Sequence, residues 1–180
     1  MPSIGPSARS PRCRGPSVAI ELFRIDDRLI HGQVVVGWGQ PLNLGFIALV
    51  DGEVAGSEWE QELYRMGVPP EMDVYFATPD DASRQLEAWQ ADQRPGILLT
   101  GDIDTMRRLI ELSPSIKAVN LGGIHHRAGR TLKLRYVYLS PQEEEALRAL
   151  ERNGVAVSAQ DVPSARSVPL EDVLRGEAER

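Results

Sequence analysis

Short apolar runs alternating with amphipathic stretches constrain this chain more than any other feature. The runs are Val18 to Phe23, Leu44 to Val50, Met72 to Ala77, Gly96 to Thr100 and Ile116 to Leu121. Each has strand length, and Leu44 to Val50 and Gly96 to Thr100 are almost wholly apolar, as strands covered on both faces must be. Between them lie helix signatures. Ser57 and Glu60 have the spacing of a capping box, and Trp59, Leu63 and Met66 then recur at helical spacing before Gly67. Thr78-Pro79-Asp80-Asp81 supplies a cap, a first-position proline and acids in the first turn, ahead of Ala82, Leu86 and Trp89. A helix from Asp102 carries Ile103, Met106, Leu109 and Ile110 and closes at Pro114. Core packing accounts for Trp38, Trp59 and Trp89 alike.

Strands alternating with helices fold into a parallel sheet, because each parallel pairing needs a crossover of a dozen or more residues. His31 to Gln40 is ambiguous by propensity. Val34, Val35 and Val36 favour a strand, and Gly32, Gly37 and Gly39 weaken a helix. The required crossover decides for a helix with Val34, Val35 and Trp38 inward. Thr131 to Tyr136 reads as a sixth strand, and only Gly122 to Arg130 separates it from the fifth, so that pair is expected to be antiparallel. A helix capped by Ser140 and Glu143 buries Ala146, Leu147 and Leu150 and stops at Gly154. Val155 to Gln160 is a last strand, and Pro169 to Leu174 a closing helix. The expected fold is α/β: an open, mainly parallel twisted sheet of about seven strands with helices on both faces and one antiparallel strand.

At 180 residues the chain is long enough for one well-packed domain, which we place at residues 18–180. Residues 1–17 are rich in Pro, Ser and Arg, and are expected to be a disordered extension without function. A net charge of −6 argues against nucleic acid, whose phosphates require a basic surface. The single cysteine, Cys13, excludes an internal disulfide, and no apolar run approaches the roughly 18 residues of a membrane span.

The first apolar run leads into Arg24-Ile25-Asp26-Asp27-Arg28-Leu29-Ile30-His31-Gly32-Gln33-Val34. A dense charged loop at a strand's carboxyl end is where open α/β sheets place ligands and chemistry. Imidazole, with an ordinary pKa of ~6.5, is a nucleophile near neutral pH and a good leaving group afterwards. His31 is therefore the candidate phosphoryl acceptor. Arg24 and Arg28 carry forked cations that match phosphate, and the N–H groups after His31 open a helix terminus that favours anions. Gly32 leaves room for a partner's approach, and Gln33 is suited to orienting the loop or touching that partner. Asp26 and Asp27 either orient the arginines or hold one imidazole nitrogen. The blander reading is a surface ion-pair cluster beside an incidental histidine.

The same eleven residues resemble the active-site signature of the IIB component of the mannose/fructose/sorbose-type bacterial sugar phosphotransferase system. The resemblance spans most of residues 18–175 and takes in Trp38, Val50-Asp51, Val119-Asn120-Leu121-Gly122-Gly123 and Gly129. It implies an open α/β sheet and a phosphotransferase, with no metal or organic cofactor. His31 would take a phosphoryl group on Nδ1 from a phospho-IIA protein. It would pass the group to a sugar held by the membrane components IIC and IID. Arg28 would be the main phosphate partner, with Arg24 and Asp26 shaping the loop. The chain would be cytoplasmic, peripheral at the inner membrane face through IIC and IID. An alternative keeps the His31 relay but makes the chain a regulatory phosphoprotein with no sugar as recipient. The chain departs from the family pattern in its N-terminal extension and in His125 and His126, where hydrophobic or aromatic residues are expected. Adjacent histidines point apart on extended backbone, which disfavours a shared metal. They line the site's rim, cap a hairpin, or place Asn120, His126 or Arg127 against the phosphoryl group or the partner.

Overall fold

The computed structural model describes residues 19–176. The expected extension at residues 1–17, with Cys13, lies outside them. Parallel strands β1 (Ile20–Ile25), β2 (Phe46–Val50), β3 (Asp73–Ala77), β4 (Gly96–Thr100), β5 (Ala118–Leu121) and β8 (Ala156–Ala159) form a sheet in the order β3-β2-β4-β1-β5-β8. A short strand β9 (Val168–Pro169) pairs antiparallel with β8 and completes the seven strands.

Residues alternate between two cores. Phe46, Ala48 and Val50 of β2 join Leu98 in a core with α4 (Pro79–Gln90), α5 (Ile103–Leu112), α6 (Pro141–Arg152) and α7 (Leu170–Arg175). Ile47 and Leu49 join Ile97 and Leu99 in a second core, with Val34, Val35 and Trp38. That side is covered by a π-helical segment Gln33–Trp38, α1 (Gly39–Leu42), α2 (Gly52–Ala55) and α3 (Glu58–Met66). Right-handed crossovers explain the split: connections stepping one way along the sheet lie on one face, and those returning lie on the other. β1 sits in the middle, between β4 and β5, so its carboxyl end opens at the centre of the rim.

Two sequence expectations need correction. Thr131–Leu134 (β6) does not pair with β5. It forms an antiparallel hairpin with β7 (Val137–Leu139), outside the main sheet. The connection was too short for a crossover, and the chain used it to leave the sheet. The second concerns α3. Trp59, Leu63 and Met66 do not face the core; they are 71%, 48% and 75% exposed. Tyr64 is the α3 residue packed against the core, within 6.3 Å of the Phe76 ring. Ser57 caps α3 by accepting from the Glu60 N–H, while the full reciprocal box forms at Ser140 and Glu143.

Candidate functional site

The loop after β1 is built from beneath. Arg24 lies in register with Asn120 on β5, so their side chains project together. Arg24 is completely buried, and its guanidinium is nearly consumed. Nη1 donates to Asn120 Oδ1 at 2.5 Å and to the Gln160 carbonyl at 2.8 Å. Nη2 donates to Asp26 Oδ2 at 3.0 Å and to the Asp161 carbonyl at 3.4 Å. The Trp38 ring lies 5.2 Å from its Cζ, a cation–π contact. Burial pulls the Arg24 pKa below its ordinary value, and the charge and hydrogen bond of Asp26 oppose that pull.

Asp26, also fully buried, is the hub. Besides Arg24 it accepts from the Gly123 N–H at 3.1 Å, and from the Arg28 N–H and Nε at 3.3 and 3.4 Å. It therefore orients both arginines, which answers one of the questions the sequence left open. Gly122 is required by this packing. A Cβ there would lie 2.3 Å from Arg24 Nη2 and 2.5 Å from Asp26 Oδ2. Gly32 differs: a Cβ there would meet nothing within 4 Å.

Arg28 stands at the open end, with its side chain 39% exposed. Its Nη2 donates to Gln33 Oε1 at 2.5 Å, and Gln33 Nε2 donates to Asp161 Oδ1 at 2.5 Å. Asp161 was invisible to sequence reasoning, since it lies 128 positions from Gln33 and belongs to no local motif. Its carboxylate decides which end of the Gln33 amide faces Arg28. Its carbonyl accepts from Trp38 Nε1 at 3.0 Å, fixing the loop to the helix that follows His31.

His31 is half-buried, and neither aspartate holds it. Leu29, in the left-handed region at φ 56°, turns its carbonyl to within 2.9 Å of His31 Nδ1. A carbonyl only accepts, so Nδ1 carries the proton in this state. Nε2 is buried and has no hydrogen-bond partner among the described residues. The His31 carbonyl accepts from both Val34 and Val35, each at 2.9 Å, an i+3 and an i+4 bond at the entry to the π-helical segment. Three consecutive β-branched valines crowd this segment, and π geometry is common at functional sites.

Asp27 points the other way. It accepts from the His125 N–H at 2.8 Å and from its Nδ1 at 2.5 Å, and lies 3.7 Å from Arg130. The second loop thus reaches the first through Asn120, Gly122, Gly123 and His125. His126 instead packs edge-on against Tyr138, with 5.5 Å between ring centroids. Arg127 is exposed, and its carbonyl closes a turn to Arg130. Among the described residues no group of three or more His, Cys, Asp and Glu side chains is placed to hold a metal.

The chain is thus a doubly wound α/β domain that puts a histidine and a partly exposed arginine on the loop at its central strand's carboxyl end, where open α/β sheets place their ligands. Residues 20–180 match the family model for the sorbose subfamily IIB component of the phosphotransferase system, and the chain belongs to that family. The sorbose-specific EIIB component of Klebsiella pneumoniae is 32% identical over 156 residues, covering 86% of this chain and 94% of the relative. The mannose-specific EIIAB component of Escherichia coli K12 is 28% identical over 177 residues. That match covers 96% of this chain and 54% of the relative, so the chain spans about half the length of such curated relatives. The crystal structure of the IIBSor domain of the K. pneumoniae sorbose permease aligns with a TM-score of 0.77 at 30% identity. It covers 89% of this chain and 99% of that one. No helix among the described residues is long and apolar enough to cross a membrane.

Proposed function

We propose that this protein is a phosphoryl carrier of a sugar phosphotransferase system. His31 accepts the group from the phosphohistidine of a IIA protein and yields it to a sugar entering through membrane components of the IIC and IID type. The observation that carries this reading is Arg28. It is a solvent-reaching guanidinium fixed beside the histidine loop by Asp26 and Gln33, with donors to spare for an incoming anion.

The step is an in-line exchange. The N–P bond on the donor's histidine breaks as an N–P bond forms on His31 Nδ1, after the His31 proton has moved from Nδ1 to Nε2, where it stays during the exchange. Negative charge spreads over the phosphoryl oxygens in flight, and Arg28 neutralises it. Arg24 does not reach outward; it acts through Asp26. Acceptance on Nδ1 requires the imidazole to give up the Leu29 carbonyl and to move its proton to Nε2. The resting loop therefore shields both ring nitrogens until a donor engages. Cytoplasmic placement follows from the donor's location.

The test is a reconstituted relay of phosphoenolpyruvate, the general phosphotransferase enzymes and a IIA protein, read by intact mass. The chain is expected to gain one acid-labile phosphoryl group that His31→Ala does not. Retention of the group in His31→Ala overturns the assignment.

A further inference from the structure

α3 leaves its apolar stripe in solvent. Trp59, Leu63 and Met66 fall at i, i+4 and i+7 on one helical face, and all three are exposed. The stripe runs for about 10 Å at 1.5 Å per residue. The stripe does not pack in the core, to which Tyr64, at its flank, anchors the helix. Large apolar side chains grouped in solvent mark contact surfaces. The stripe is continuous with the phosphorylation loop. Ile30, the residue before His31, lines a cleft of about 340 Å³ with Trp59, Glu60, Leu63, Tyr64 and Gly67. A partner burying ~800 Å² of this chain covers a patch of about 16 Å radius. Any protein seated on His31 therefore reaches this cleft.

The charges around the stripe select the occupant. Glu58, Glu60 and Glu62 flank it on α3, and Glu53 lies on the preceding α2. Arg65, the basic residue of α3, is occupied by Glu62 at 3.7 Å and by the Phe76 ring at 5.0 Å. A second copy docked face to face would press these acids against their own equivalents. An anionic cytoplasmic leaflet would repel them too, which disfavours a membrane-bound acceptor on this face. A water-soluble protein with an apolar knob inside a lysine- and arginine-rich rim fits both features.

We propose that the Trp59–Leu63–Met66 face of α3, with the cleft it shares with Ile30, is the docking surface for the protein that donates the phosphoryl group to His31. This rests on the relay reading above and deepens it by naming the surface and the chemistry of its partner.

Two donors separate docking from chemistry. One is the phosphorylated IIA protein that labels the wild-type chain in the relay. The other is phosphoramidate, a small phosphodonor that needs no protein surface. In Trp59→Gln/Met66→Gln, KM for phospho-IIA is expected to rise about tenfold or more, with kcat, phosphoramidate labelling and melting temperature unchanged. Glu58→Lys/Glu62→Lys should raise KM in the same direction by reversing the rim charge. An unchanged KM in both variants overturns the proposal. So does a wild-type chain that sediments as a dimer and becomes monomeric on loss of Trp59 and Met66. If neither donor labels wild-type His31, the relay itself falls and the docking surface with it.

Discussion

Arg24 and Arg28 are the same residue type, four positions apart across the end of β1, and the fold uses them in opposite ways. Arg24 is sealed under the loop with nearly every donor spent on fixed partners. Arg28 stands over the loop, held at one side by Asp26 and at its tip by Gln33, and stays accessible. A buried guanidinium sets geometry and cannot answer a ligand. An exposed one can trade a side-chain partner for a phosphoryl oxygen at little cost. The loop needs both, and Asp26 joins them.

Breaking the buried half should have the largest effect. Arg24→Met strands the Asp26 carboxylate without its main counter-charge and is expected to cost about 3–5 kcal/mol in urea unfolding. Pairing it with Asp26→Leu should recover much of that stability while transfer stays lost. Full recovery of transfer in the double variant would show that the pair only supports the fold. Gly122→Ala drives a methyl group into the same pair and should destabilise less than Arg24→Met, by the overpacking range of about 1–3 kcal/mol.

The exposed half should respond in the reverse sense. Arg28→Ala is expected to change unfolding stability by less than about 1 kcal/mol. It should slow phosphoryl transfer about 100-fold, the scale of losing one charge-stabilising donor. A large stability loss with little kinetic effect would erase the contrast with Arg24. Asp161→Ala should act more mildly, because it frees the Gln33 amide to turn and only then loosens Arg28. Stopped-flow transfer should slow about tenfold, with partial rescue by Asp161→Asn, which keeps a hydrogen bond but not the amide's preferred direction.

The smallest expected effect lies behind the second loop. Burial pushes the Glu143 carboxyl up, but hydrogen bonds from Arg130 and Ser140 and the Arg130 charge hold it below its ordinary 4.5. A carboxyl lowered in the folded state adds stability that is fully present above its unfolded value and is lost as pH falls through the folded one. Wild type should therefore exceed Glu143→Gln in stability at pH 6 by a margin that shrinks below about pH 4.5. A margin that grows on acidification would reverse the sign. Arg130 also donates to the His125 carbonyl at 2.8 Å, so the variant should loosen the Asp27–His125 link as well.

Local pattern was enough for the parallel strands, the capped helices and the charged motif, because apolar runs, caps and breakers act over a few residues. It misjudged α3, since helical spacing marks an apolar face without saying what that face meets. Here a shared periodicity served both Tyr64's inward packing and the outward stripe. It placed Thr131–Leu134 beside β5 for a related reason: a loop length excludes a crossover but does not choose a partner. It missed β9 and took Pro169 as the start of the closing helix, because two residues, one of them a proline, carry no strand signal.

The sequence by itself determined that an α/β sheet would present Arg24, Asp26, Arg28 and His31 at the end of its first strand. Tertiary structure alone decided which arginine is sealed and which is free, that Leu29's carbonyl and not an aspartate holds the imidazole, and that Asp161 steers Gln33. The reason is physical. Strand and helix formation follow from short-range pattern and hydrophobicity, whereas burial and hydrogen-bond partners depend on chain segments up to 137 residues apart.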